Sequence, residues 1–288
     1  MLNPETGFIG GSSLYSLEGA KVIDEFYPDT PWGKPSDAIT IAEINGRQAA
    51  FLPRHGRGHR LLPSEVNSRA NIAALKMAGV QELFAFSAVG SLKEDIRPRD
   101  FIVPSQLIDR TKGRQSTFFG GGIVAHIAFA DPFCLRLSKT AVEAINSMGI
   151  SCRTGETLVC MEGPAFSTRA ESGMYRAMGA GLINMSALPE AKLAREAEIC
   201  YCMICMCTDY DCWREAEEDV SVDMLLDNLN ANASRGQALI KTLMSMPRES
   251  RTCSCPTASA AAVMTAPEAQ PAEARARLAT ILPKYFAP

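Results

Sequence analysis

LINMSALPEAKLAREAEICYCMICMCT, residues 182–208, is the stretch whose reading decides the fold. A short apolar run over 182–185 reads as a strand, a helical pattern follows over 189–198, and a second apolar run over 199–208 reads as another strand. Strand, helix and strand in that order mark an α/β domain whose sheet is covered by helices. Pro189 suits a first helical turn, where its missing N–H leaves no bond unmade.

Working outward, further strands are predicted over 8–11, 39–44, 49–52, 83–87, 101–103 and 157–161. Helices are predicted over 65–78, 134–148, 169–178 and 220–246. Thr168 with Glu171 spells a capping box, and Gly79, Gly149 and Gly179 stand where helices should stop. No internal repeat is visible. Residues 1–246 therefore read as one domain. Over 247–275 the composition shifts to Ala, Pro, Ser, Thr and Glu, which predicts a loose linker, and 276–288 regains apolar residues suited to docking.

The 288 residues carry 29 basic and 32 acidic side chains, a net charge of -3, so no basic surplus is available for a nucleic-acid backbone. With 47% hydrophobic residues but no apolar run near the ~20 residues of a membrane helix, the chain reads as soluble, with no membrane partner. Met1 to Gly7 lacks the basic and apolar regions of a signal peptide, and ten cysteines mostly within apolar segments read as buried thiols. A cytoplasmic location is expected.

Three loops at strand ends could meet an anion. Gly10-Gly11-Ser12 offers backbone amides and a hydroxyl, although an ordinary tight turn fits it equally well. Arg54-His55-Gly56 offers a guanidinium fork and an imidazole donor, followed by Arg57, His59 and Arg60, which could also be a solvated loop. Ser87-Ala88-Val89-Gly90-Ser91 repeats the hydroxyl and amide pattern at the carboxyl end of a strand, where α/β proteins gather ligands.

The first two of these loops, with Asn67-Ser68-Arg69-Ala70-Asn71-Ile72, Met161-Glu162-Gly163-Pro164-Ala165-Phe166 and Asn184-Met185-Ser186-Ala187-Leu188-Pro189-Glu190, resemble the trimeric purine nucleoside phosphorylase superfamily over residues 7–246. The resemblance implies an α/β domain around a mixed, partly barrel-like sheet, assembled as a homotrimer with active sites near the subunit interfaces. It implies that Ser12, Arg54, His55, Ser87, Ala88 and Ser186 hold phosphate, the co-substrate, and that no metal or organic cofactor takes part. Phe166 and Met185 would flank the base and ribose. Val222, Leu225 and Leu226 would line an apolar 5' pocket, His126 would lie near the 5' group, and Ile281 would close the pocket of a neighbouring subunit.

Substrate choice turns on two places. Where 6-oxopurine enzymes of the superfamily carry a glutamate and a later asparagine, this chain has Ser167 and the segment Thr208-Asp209-Tyr210-Asp211, as in methylthioadenosine phosphorylases. A 6-amino group donates hydrogen bonds, so carboxylates suit it, whereas a 6-oxo group needs a donor. Phosphorolysis of 5'-deoxy-5'-methylthioadenosine to adenine and 5-methylthioribose 1-phosphate, in methionine and purine salvage, is therefore the expected activity. Negative charge builds on the departing base, so Asp209 is expected to protonate N7 and Asp211 to accept from the amino group. The two roles could be exchanged. A 6-oxopurine or methylthioinosine phosphorylase and a non-catalytic nucleoside-binding protein are the alternatives; a dinucleotide oxidoreductase would need spaced glycines that Gly10-Gly11 lacks.

Cys200, Cys202, Cys205 and Cys207 invite a metal reading, but a strand spreads them over roughly 23 Å, too far for one ion. Cys253-Ser254-Cys255 resembles a Cys-x-Cys found near the C-terminus of some thermophilic relatives, and free thiols are expected there.

Overall fold

A computed structural model describes residues 3–11, 19–214 and 222–287, with the side chains of 222–226 left out of the description. Among these residues eleven strands form one branched sheet: β1 (Thr6–Gly10), β2 (Lys21–Phe26), β3 (Ile39–Ile44), β4 (Arg47–Pro53), β5 (Glu82–Ser91), β6 (Phe101–Val103), β7 (Gln106–Arg110), β8 (Cys152–Thr154), β9 (Thr157–Met161), β10 (Leu182–Asn184) and β11 (Cys200–Tyr210). Among the described residues seven α-helices accompany them: α1 (Ser68–Met77), α2 (Leu135–Ser147), α3 (Arg169–Ala177), α4 (Glu190–Glu196), α5 (Val222–Ser245), α6 (Ala272–Ala279) and α7 (Pro283–Phe286).

Alternation along β11 explains the layering. Tyr201, Met203, Cys205 and Cys207 face a core shared with α1, α4, α6 and α7, while Cys200, Cys202, Ile204 and Met206 face a second core shared with α2 and α5. With both faces covered, the strand is apolar from Cys200 to Cys207, which is why its sequence reads as one unbroken run. The helix signals also hold locally. Thr168 and Glu171 form the reciprocal capping box, and Gly79, Gly149 and Gly179 adopt positive φ just beyond α1, α2 and α3.

The branch point is β5. Along one edge it pairs with β1 through Glu82–Ala85 and then, antiparallel, with β10 at Gly90 and Ser91; along the other edge it pairs with β11 over its whole length. Between the ends of β1 and β10, residues 86–89 have no strand partner on that edge. The sheet opens there.

Three strands escape sequence periodicity. β2 is an edge strand paired only with β3 and mostly exposed, β8 has three residues, and β7 is only partly covered, so none presents a clean apolar alternation.

The stretch 247–275, read above as a loose linker, instead packs along the domain. Ser259 donates its N–H to Glu198 Oε1 at 3.0 Å and its hydroxyl to the Glu196 carbonyl at 2.8 Å, and Arg251 donates to the Glu198 carbonyl at 2.6 Å. Met264 and Ala262 exchange backbone hydrogen bonds with Val124 and His126. Composition misleads here because small side chains bury little area, while polar anchors at the end of α4 fix the backbone. Leu278 in α6 is fully buried in the first core. Leu278→Ala is expected to cost about 2–4 kcal/mol in urea denaturation; a cost under about 0.5 kcal/mol would mean the tail contributes no packing.

No described helix is long and apolar enough to cross a membrane.

Candidate active site

A cavity of about 640 Å³ opens where β5 lacks its partner, and Phe86, Ser87, Ala88, Val89 and Gly90 line it. Ligand-sized space at a strand-order discontinuity is where open α/β sheets place their sites. The β4 end brings Arg54 and His55, β10 and the turn after it bring Asn184, Met185 and Ser186, and β11 brings Thr208, Asp209 and Asp211.

Arg54 is only 3% exposed. Its guanidinium forks onto Glu190, Nε to Oε2 at 2.8 Å and Nη2 to Oε1 at 2.9 Å, and Nη1 donates to the Phe86 carbonyl at 2.8 Å. Tyr201 in turn donates its hydroxyl to Glu190 Oε1 at 2.7 Å. Glu190 thus fixes the fork at the first turn of α4. Nearby, the Ser87 and Ser186 hydroxyls lie 2.9 Å apart, and Asn184 Nδ2 reaches Ser87 Oγ at 3.1 Å. Ser87 Oγ also lies 2.9 Å from the Ala88 carbonyl, to which it can donate, and either hydroxyl can rotate toward an arriving anion.

His55 differs from the donor expected of it. Burial first, and then the Arg54 charge, push its pKa down to about 4, so the ring is neutral near pH 7. Nδ1 lies 2.9 Å from the Leu61 carbonyl and must carry the hydrogen, which leaves Nε2 as an acceptor. It therefore suits a protonated phosphate oxygen. His59, stacked on His55 at 4.5 Å between ring centroids, also lines the cavity.

The acidic pair owes its placement to a β-bulge. β11 pairs Cys207 with Val89 but Asp209 with Gly90, so Thr208 is the extra residue. Two buried asparagines of α5 take up the carbonyls there: Asn232 Nδ2 donates to Cys207 O at 2.9 Å and Asn228 Nδ2 to Thr208 O at 2.7 Å. Beyond the bulge, Asp211 N and the Trp213 indole both donate to Ser91 O, at 3.0 and 2.8 Å. Gly90 stands opposite, where a Cβ would come within 3.1 Å of both Asp209 Oδ1 and Ile183 Cγ2 and would press on the acid.

Electrostatics separate the two acids from ordinary surface aspartates. Burial, reinforced by the Asp211 charge and opposed by the Thr208 hydroxyl at 2.7 Å, raises Asp209 to about 6. Burial raises Asp211 as well. Asp211 lines the cavity beside Asp209, and hydrogen bonds from the Ser172 hydroxyl, the Cys212 backbone and the Ser167 hydroxyl oppose the effect of its burial.

The remaining expectations divide. Phe166, Ser167 and Met185 line the cavity, and Met185 lies where any side chain at Gly163, with its φ of +70°, would collide with it. Ser12 lies outside the described residues, as do the side chains of Val222, Leu225 and Leu226. His126 is exposed and outside this chain's cavity. Ile281 is also outside it: at 1% exposure it is packed in its own chain's core, because α6 and α7 fold back onto α1 and α4 rather than projecting away.

Several contributors are new. Leu229, Asn230 and Ala233 of α5 line the cavity, as do Leu61, Leu62 and Pro63. Arg114 joins two motif loops, donating to the carbonyls of Met185, Leu188 and Glu162 at 2.7, 2.8 and 2.6 Å. Helix periodicity could have marked the α5 face; nothing local marks Arg114.

Comparison with known proteins agrees with this geometry. Residues 5–245 match the model of the phosphorylase superfamily. The chain is 47% identical to an S-methyl-5'-thioadenosine phosphorylase of Koribacter versatilis over 99% of this chain and 98% of that one. Among solved structures it is similar to a methylthioadenosine phosphorylase from an antarctic soil metagenomic library, with a TM-score of 0.92, 45% identity and coverage of 98% and 100%. It is also similar to a mutant adenosine/methylthioadenosine phosphorylase of Schistosoma mansoni in complex with methylthioadenosine, with a TM-score of 0.79, 35% identity and coverage of 84% and 91%.

Proposed function

The chain belongs to the phosphorylase superfamily, and from that premise we propose that it cleaves 5'-deoxy-5'-methylthioadenosine with phosphate, a pentosyl transfer releasing adenine and 5-methylthioribose 1-phosphate for purine and methionine salvage. A phosphate oxygen bonds to the anomeric carbon as the glycosidic C–N bond breaks, and the bonding pair passes to the purine. Asp209 in its protonated form gives N7 a proton, and Asp211 accepts from the 6-amino group. Arg54, His55, Ser87, Ala88 and Ser186 hold the anion, and Ser12 is assigned to the same cradle. Phe166, Ser167, Met185 and Thr208 surround the nucleoside.

The pairing of two carboxyls, Asp209 and Asp211, in the lining of one cavity is the observation that carries this reading, because a 6-oxopurine would face them with a further acceptor. Free adenine should appear when the protein is given methylthioadenosine and phosphate, with methylthioinosine cleaved at least about 100-fold more slowly in kcat/KM. Asp211→Asn should narrow that gap at least tenfold. Equal use of both nucleosides by the unaltered enzyme would overturn the assignment.

The active assembly is proposed to be a homotrimer, in which the exposed His126 serves a neighbouring cavity rather than its own. Light scattering at a mass other than three chains would remove it. Catalysis is assigned to the acid and the anion cradle without metal or organic cofactor, so turnover should persist in chelator. Ten unbridged cysteines support a reducing, cytoplasmic setting.

A further inference from the structure

Away from the cavity, four cysteines distant in sequence come together. Cys134 stands at the N-cap of α2 and donates its N–H to the Tyr201 carbonyl at 2.8 Å, which sets the start of that helix beside the start of β11. Cys200 is the first residue of β11. The packed tail delivers Cys253 and Cys255 to the same point. All four Sγ atoms lie within 4.8 Å of one another, Cys134, Cys200 and Cys255 are buried, and none of the four lines the cavity.

We propose that Cys134, Cys200, Cys253 and Cys255 form a tetrathiolate site that binds one zinc ion and clips the C-terminal tail to the domain. Four sulfurs at about 2.3 Å from a tetrahedral zinc stand about 3.8 Å apart, a small contraction from the spacing found here. Cys200 and Cys253, with Sγ atoms 3.4 Å apart, are already inside that distance yet well beyond the ~2.05 Å of a disulfide. Ligation replaces up to four S–H bonds by S–Zn bonds and releases the protons to solvent.

The surroundings suit the resulting charge. Four thiolates and one Zn²⁺ leave a net charge of about -2. Arg251 Nε and Arg136 Nη2 point at Cys200 Sγ from 3.4 and 3.7 Å. Arg136 also pairs with Glu82, which holds it in place. Cys134 sits at the N-terminal end of a 13-residue helix, where the dipole favours an anion. Of the four cysteines along β11, only Cys200 takes part, so the strand argument against a metal within β11 stands while the fold assembles a different quartet.

The protein should be produced in zinc-supplemented medium, without a histidine tag and under reductant, and its metal content measured by mass spectrometry. About one zinc per chain is expected, falling at least tenfold in Cys200→Ser and in the double variant Cys253→Ser/Cys255→Ser. Because those variants could fail to fold, two measurements on the unaltered protein stand beside them. A mercurial titration of its thiols should release the zinc stoichiometrically, and cobalt loading should give the charge-transfer and visible bands of tetrahedral thiolate coordination. Chelator should strip the metal and lower the melting temperature while leaving turnover in place. Less than about 0.1 zinc per chain, iron in its place, or a non-reduced mass lower by two hydrogens per bridge through any of these cysteines would each overturn the proposal.

Discussion

Asp209→Asn is expected to lower kcat for methylthioadenosine by about a thousandfold, within the range for losing a positioned general acid. The amide keeps shape and hydrogen-bonding capacity but has no proton to surrender to N7. The pH dependence should identify the acid independently. With Asp209 near 6 in the free enzyme, kcat/KM should fall as pH rises through that value, because the protonated form is the one that acts. The variant should lack that limb. The stability of the unaltered enzyme should also fall with rising pH. A carboxyl whose pKa is raised from 3.8 to about 6 by folding favours the fold while protonated, so the protein loses stability as pH climbs between those values. That loss is at most about 3 kcal/mol, and Asp209→Asn should recover part of it at pH 7.5. A variant with near-normal kcat, or with the alkaline limb intact, would take Asp209 out of the chemistry.

Arg54→Lys should raise KM for phosphate by about 10- to 100-fold while changing KM for the nucleoside little, and should destabilise the fold by about 2–4 kcal/mol. The reason is geometric. Arg54 meets Glu190 with two parallel bonds and Phe86 O with a third, and an ammonium cannot reproduce that planar fork. Glu190, buried at 2% exposure, would then keep the Tyr201 hydroxyl but lose its matched cation. Phosphate titrations at saturating nucleoside, with urea denaturation alongside, separate the two effects. A folded variant with unchanged phosphate KM would place the anion elsewhere.

Much of this site was legible before any coordinates. Arg54, His55, Ser186, Asp209 and Asp211 sit at or just beyond strand ends, and Ser87 within β5, where short polar motifs stand out against apolar runs, and β11 announces itself because both its faces are covered. What escaped the sequence depends on contacts between distant segments. Arg114 and the asparagines of α5 matter because of carbonyls 20 or more residues away, and no local pattern encodes that. The packed tail and the inward-facing Ile281 escaped for a related reason: alanine-rich composition states how little area can be buried but not which hydrogen bonds will fix the chain.

The extra residue at Thr208 bears on how such a pocket can be re-engineered. Side chains alternate across a strand, so deleting one residue before Asp209 would turn both acids to the other face together. The facing of the two acids therefore depends on the irregular strand segment, the two asparagines that support it and the glycine opposite taken together. Grafting aspartates alone onto a sibling scaffold with regular pairing would yield the right letters facing the wrong way.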